Sequence, residues 1–216
     1  SGRVSWPRAF YGRLKNIVAN NQRESSKRRF KLPATSGLPK DYMRMDPWEV
    51  EYLYVVAKRA KKGILEVGRW NGGSTFLMSC ANDSVPIYSI DIAPQDDNLL
   101  QSYFETYNVG KNAQLIVGDS QKTKYDQIKD FDLLFIDGDH SYEGCKADIE
   151  NWYPDLAVGG HILFHDSYLG TEGVQQAVSE FLENHPELQV IPSPYIGQYH
   201  WNYPAGSLAH FIKRGK

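Results

Sequence analysis

The sequence predicts an α/β fold: a doubly wound, mostly parallel sheet of seven strands behind a basic N-terminal extension. Two observations carry this. From Gly63 onward, short apolar runs alternate with helical stretches, the pattern of strands covered by helices on both faces. The first 45 residues instead show no sustained apolar period and hold the loop-like run Leu32 to Pro39. The chain thus divides into an extension or lid over residues 1–45 and one α/β domain over 46–216. Its 216 residues, 41% of them hydrophobic, suffice for one large core.

The elements follow in order. Asp46 can cap a helix, Pro47 suits its first position, and Glu49 completes a capping box. Val50, Leu53, Tyr54 and Ala57 then form one stripe, and Gly63 ends it. Strands are predicted at Ile64–Val67, Ile87–Asp91, Gln114–Val117, Asp132–Asp137 and His161–His165. Between them lie helices at Ser74–Ala81, Asp97–Tyr107, a weak one near Tyr125–Lys129, and Tyr142–Tyr153. A helix at Glu172–Asn184 places Val174, Ala177, Val178, Phe181 and Leu182 on one face. Two last strands, Leu188–Ile191 and Leu208–Lys213, read as a hairpin around an aromatic loop. Right-handed crossovers bring the carboxyl ends of the parallel strands to one edge, where ligands bind.

Charge is distributed unevenly. Residues 1–31 carry nine Lys/Arg and a single acidic residue, Glu24, whereas the rest has 15 basic and 25 acidic side chains. An acidic body argues against nucleic acid as the partner. No apolar run approaches the ~20 residues of a membrane span, and no charged-then-apolar signal segment opens the sequence. Ser1-Gly2 reads as a cleavage scar. Cys80 and Cys145 are isolated, which argues against a disulfide framework or thiolate zinc site and points to a reducing, cytoplasmic setting.

The chemistry gathers at the predicted strand ends. The first strand runs into Glu66-Val67-Gly68-Arg69-Trp70-Asn71-Gly72-Gly73-Ser74-Thr75. Glycines let a ligand approach the backbone, and the following helix offers free N–H groups. Trp70 stands where a dinucleotide fingerprint needs its middle glycine, which counts against NAD. The string E-x-G-x-x-x-G-G-S-T resembles the first motif of class I S-adenosylmethionine-dependent methyltransferases. Asp91 ends the second strand, where a carboxylate can accept both ribose hydroxyls; its plainer role is a helix cap. Gly118-Asp119-Ser120 ends the third, and the resemblance places Asp119 or Ser120 beside the adenine amine.

The most specific signal is Asp137-Gly138-Asp139-His140-Ser141-Tyr142-Glu143-Gly144, followed by Gly159-Gly160 and Phe164-His165-Asp166-Ser167. These paired motifs resemble the macrocin- and cephalosporin-pathway and sugar O-methyltransferase group, over about Gly63 to Asn184. The resemblance implies a cofactor site of Glu66, Gly68, Asn71, Gly72, Gly73, Ser74, Asp91, Asp119, Ser120 and Asp137. By analogy with catechol-type enzymes it also implies Mg²⁺, or another divalent cation, on Asp137, Asp166 and Ser167. Two carboxylates converging on one edge repel unless a cation or proton lies between them, and oxygen ligands suit a hard ion. His140 falls where catechol-type enzymes place a proton-accepting lysine, so it is the expected base, with Asp137 beside it as the second catalytic residue. His140 and Asp139 can also be structural, His165 either a ligand or a partly buried residue supporting the site from behind, and His161 unrelated to chemistry. An iron site drawn from His140, His165 and Asp166 would leave the glycine loop unexplained.

The expected function is metal-assisted transfer of a methyl group from S-adenosylmethionine to a hydroxyl, most closely that of a sugar in a glycan or glycosylated product. Catechol-like or other natural-product acceptors are the rival, and a nucleic-acid-binding methyltransferase the weaker one. Four aromatic rings in the loop Tyr195–Tyr203 suit the apolar face of a sugar, or else fold back on the core. The basic arm reads as a cover over the acceptor, as a solvated helix or as a contact in a homodimer.

Overall fold

The computed structural model describes residues 38, 42–167, 172–191, 198–200, 203–205 and 208–215. The basic arm lies outside these residues, as do the side chains of the loop Tyr195–Tyr203. In chain order the elements are α1 (Pro47–Ala57), β1 (Ile64–Val67), α2 (Gly73–Ala81), β2 (Ile87–Asp91), α3 (Asp97–Tyr107), β3 (Ala113–Val117) and β4 (Phe131–Ile136). Then come α4 (Tyr142–Trp152), a 3₁₀ turn (Tyr153–Asp155), β5 (Leu156–Phe164), α5 (Glu172–Asn184), β6 (Leu188–Ile191), β7 (Gln198–His200), β8 (Tyr203–Ala205) and β9 (Ala209–Lys213).

Seven strands form one sheet in the order β3-β2-β1-β4-β5-β9-β6. The first five are mutually parallel, and β9 runs antiparallel between β5 and β6. Strand order reverses between β1 and β4, the switch point at which such sheets leave a crevice.

Both faces of the sheet are covered, so neighbouring strand residues are buried in opposite directions. Leu65, Val67, Leu134, Ile136, Ile162 and Phe164 pack with Ile149 and Trp152 of α4 and Val178 and Phe181 of α5. Ile64, Ile87, Leu133, Phe135 and Leu163 pack on the other face with Leu53 and Val56 of α1 and Leu77 and Met78 of α2. A smaller cluster of Tyr42, Phe76, Leu100 and Phe104 joins α2 to α3.

Three sequence expectations change. The segment Tyr125–Lys129 forms turns, not a helix. Ile128 is its one fully buried apolar side chain, too little to hold an amphipathic helix. Strand β5 begins at Leu156, not His161, because Gly159 (φ +83°) supplies an irregularity within the strand where β4 pairing shifts between Phe131 and Leu133. The loop between β6 and β9 contains a further hairpin, β7–β8, while β6 and β9 pair as expected. Cys80 and Cys145 are both free. Among the described residues no helix is long and apolar enough to cross a membrane.

His161 belongs to a partly buried chain of side chains centred on the buried His210. Its Nδ1 lies 2.8 Å from His210 Nε2, and His210 Nδ1 lies 2.6 Å from the Tyr52 hydroxyl. Burial, reinforced by His161, pushes His210 down to about 3. His210 therefore stays neutral in the fold while the unfolded chain takes up its proton below about pH 6.5. Stability from this group is complete above that pH and falls toward pH 3, by at most about 1.4 kcal/mol per unit. Urea denaturation of the wild type and His210→Gln from pH 8 to pH 4 should show their stability gap narrowing with acid; a constant gap would refute it.

Candidate active site

The carboxyl ends of β1, β2, β3, β4 and β5 border a cleft of about 650 Å³. Its lining includes Gly68, Asp91, Asp119, Ser120, Asp137, His140, His165 and Asp166. The structure thus brings together expected residues from five separate strand ends.

The floor is set by Gly68 (φ +84°), whose N–H donates to the Ile90 carbonyl at 2.8 Å. A Cβ at this position would lie 2.2 Å from the Asp137 carbonyl oxygen, so the turn after β1 and the end of β4 touch backbone to backbone. Asp91 fixes the next part of the turn. One of its oxygens accepts from Arg69 N and Trp70 N at 2.9 and 2.8 Å, and the other from Ala93 N at 2.7 Å. Remaining lone pairs leave it able to receive hydroxyl donors from the cleft.

Arg69 holds the loop from beneath. Its guanidinium is buried, pairs with both oxygens of Asp97 at 2.8 and 2.6 Å, and donates to the Ser89 and Ile116 carbonyls at 2.8 and 2.9 Å. No feature of the sequence marked Arg69, because its partners come from two other strands and a helix.

Several expected cofactor residues do not reach the cleft. Glu66 is fully buried beneath it and accepts hydroxyl hydrogens from Ser74, Thr75 and Ser89. Burial lifts its carboxyl to about 7 against the pull of these hydroxyls. Ser74 is thereby committed to the interior. A Cβ on Gly72 would strike the Leu100 side chain at 2.5 Å, and one on Gly73 the Tyr42 carbonyl at 2.5 Å, so these glycines serve close packing. Asn71 is half-buried and also absent from the cleft lining.

At the opposite end stands a charge cluster. His165 is buried, with Nδ1 3.1 Å from Asp137 and 3.3 Å from Asp166, and Nε2 3.2 Å from Glu49. Burial opposes its charge, yet Asp137, Asp166 and Glu49 outweigh it and raise the imidazole well above its usual value. Glu49 also accepts from Asp46 N at 2.9 Å, the expected cap of α1. A residue readable only as a helix cap thus extends into the site. His140 is more open, its Nε2 3.5 Å from both Asp137 and Asp166. Its hydrogen bond to Asp137 raises it despite partial burial, and Asp166 adds to the effect.

The carboxylate repulsion that argued for a cation is met in part by His165 itself. A divalent ion still fits: ligand atoms of Asp137, His140 and Asp166 lie within 4.8 Å of one another. Ser167, the expected third ligand, is fully buried and does not line the cleft. Asp166 adopts φ +51°, which takes the chain sharply away from β5 immediately before Ser167.

Residues 65–167 match the family model Methyltransf_24, a methyltransferase domain. An uncharacterized protein of Acanthamoeba polyphaga mimivirus is 32% identical over 128 residues, covering 55% of this chain and 58% of that relative. The matched stretch thus spans little more than half of that curated relative's length. Among solved structures, the O-methyltransferase TomG of Streptomyces achromogenes, in complex with SAM, has a TM-score of 0.64 at 14% identity, over 80% of this chain and 82% of that one. The SAH-bound methyltransferase PaMTH1 of Podospora anserina has a TM-score of 0.63 at 16% identity over the full length of both chains. The expected class I methyltransferase fold is borne out.

Two glycines separate backbone strain from collision. Gly159→Ala faces only its left-handed φ, since nothing lies within 4 Å of the added Cβ, and should cost about 1–2 kcal/mol. Gly68→Ala adds a backbone collision and should cost at least about 2 kcal/mol more. Equal losses in chemical denaturation would show that the contact at Gly68 yields freely.

Proposed function

We propose that this protein, whose residues 65–167 match a methyltransferase domain model and which has the class I methyltransferase fold, moves a methyl group from S-adenosylmethionine to a hydroxyl oxygen. A sugar hydroxyl is the preferred acceptor, and a catechol-like or other natural-product hydroxyl the alternative. The observation that carries the reading is the convergence of Asp91, Ser120, Asp137, His140 and Asp166 on one cleft. The SAM- and SAH-bound neighbours support the cofactor, and the motifs around Asp137 and His165 support the sugar.

In this reading Asp91 accepts from the ribose hydroxyls and Ser120 meets the adenine. The acceptor oxygen lies near His140, the exposed member of the charge cluster. Its lone pair forms the new O–C bond as the C–S bond breaks, and the electrons of that bond remain on sulfur. His140, held by Asp137, removes the hydroxyl proton, a contribution of about 10²–10⁴-fold. Orienting the two reactants supplies much of the rest. A divalent ion held by Asp137 and Asp166 would make the hydroxyl more acidic. One nitrogen cannot both ligate that ion and take the proton, so His140 is assigned as base, not ligand.

The acidic body and the sheet-edge cleft favour a small hydroxylated acceptor over nucleic acid. A lid made by residues 1–45, a homodimer and a cytoplasmic setting belong to the same proposal.

Methyl transfer from labelled S-adenosylmethionine to a panel of glycosides and phenols, with Mg²⁺ and with excess chelator, tests the reaction. Glycosides should be methylated in preference to phenols, and chelation should lower turnover. Full activity in chelator would remove the metal from the mechanism. His140→Ala should lose about 10²–10⁴-fold in kcat while binding S-adenosylhomocysteine normally; unchanged turnover would remove its role.

A further inference from the structure

Three side chains of α4 converge on Ser120 at the end of the cleft. Asp148 accepts the Ser120 hydroxyl at 2.7 Å, while Asn151 Nδ2 and Trp152 Nε1 donate to the Ser120 carbonyl at 2.6 and 2.9 Å. These positions, three and four residues apart, share one helix face. Ser120 is therefore gripped through its side chain and its backbone by a single element.

Asp148 is a costly residue to keep there. It is fully buried, burial lifts its carboxyl to about 6, and its second oxygen has no hydrogen-bond partner among the described residues. That oxygen faces Gly138, where a Cβ would come within 3.3 Å of it. A buried, half-satisfied carboxylate is destabilising, and an apolar side chain would fill the same space at lower cost. What it does is orient a hydrogen. A serine hydroxyl has one hydrogen to donate and two lone pairs to accept. With the hydrogen directed to Asp148, Ser120 offers the cleft lone pairs alone.

We propose that Asp148 is a positioning residue that makes Ser120 a pure acceptor, so that the site takes a 6-aminopurine cofactor and rejects the 6-oxopurine analogue. This rests on the cofactor reading above. The exocyclic amine of adenine donates to Ser120 Oγ, whereas a keto oxygen there meets lone pairs and leaves both groups unpaired. Neighbouring Asp119 is engaged by Gln121 N at 3.0 Å and Lys122 Nζ at 2.9 Å, and does not orient the serine.

The test is calorimetric binding of S-adenosylhomocysteine and S-inosylhomocysteine at pH 8. The wild type should prefer the adenine compound by roughly 10- to 100-fold. Ser120→Ala should bring the ratio toward one. Asp148→Leu, which frees the hydroxyl to rotate and donate, should reduce it to within about threefold of one. Asp148→Asn keeps an acceptor oxygen and should restore most of it, which a merely structural role would not predict. A folded Asp148→Leu protein with the wild-type ratio would overturn the proposal. So would equal binding of the two compounds by the wild type, a result that needs no variant to fold. If the wild type binds neither compound, the cofactor reading itself fails; binding both equally overturns only the role of Asp148.

Discussion

His165 lies between Glu49, Asp137 and Asp166 with almost no exposure to solvent. In such a place a lone imidazole would shed its proton, and three carboxylates brought so near one another would repel. Each problem answers the other: the imidazolium gives the carboxylates a counter-charge, and they give it a reason to stay charged. The interaction ties α1, the end of β4 and the end of β5 to one point. The edge of the sheet that carries Asp137, His140 and Asp166 depends on it.

Much of the architecture was legible because its signal is local. Buried strands read as short apolar runs, and α1 reads from Asp46, Pro47 and Glu49. The placement of Asp91, Asp137, His140 and Asp166 at one edge follows from the parallel order, since every crossover returns the chain to the same side. What was not legible depends on partners distant in sequence. Glu66 carries a methyltransferase motif letter, but in β1 it points away from the cleft, toward hydroxyls on α2 and β2. Asp148 is one acid among several on an amphipathic helix, and its partner Ser120 lies 28 residues earlier.

Ser167 shows a different limit. Adjacent residues at a strand end are naturally read as neighbours in a ligand set. The left-handed backbone at Asp166 parts them, leaving one on the cleft and the other fully buried. Tyr125–Lys129 failed for a related reason: spacing alone allowed a helix, while a single buried contact at Ile128 left nothing to hold one.

Arg69 carries a consequence for how the cleft meets a ligand. Its guanidinium is tied to Asp97 and to two carbonyls of neighbouring strands, and Asp91 fastens the backbone above it. The turn after β1 is therefore rigid by construction, with its shape owed to the protein and not to an incoming molecule. Little conformational freedom is left to surrender at this wall of the cleft, so more of the contact energy made there is retained as affinity. The molecule behaves on this side as a mould already set.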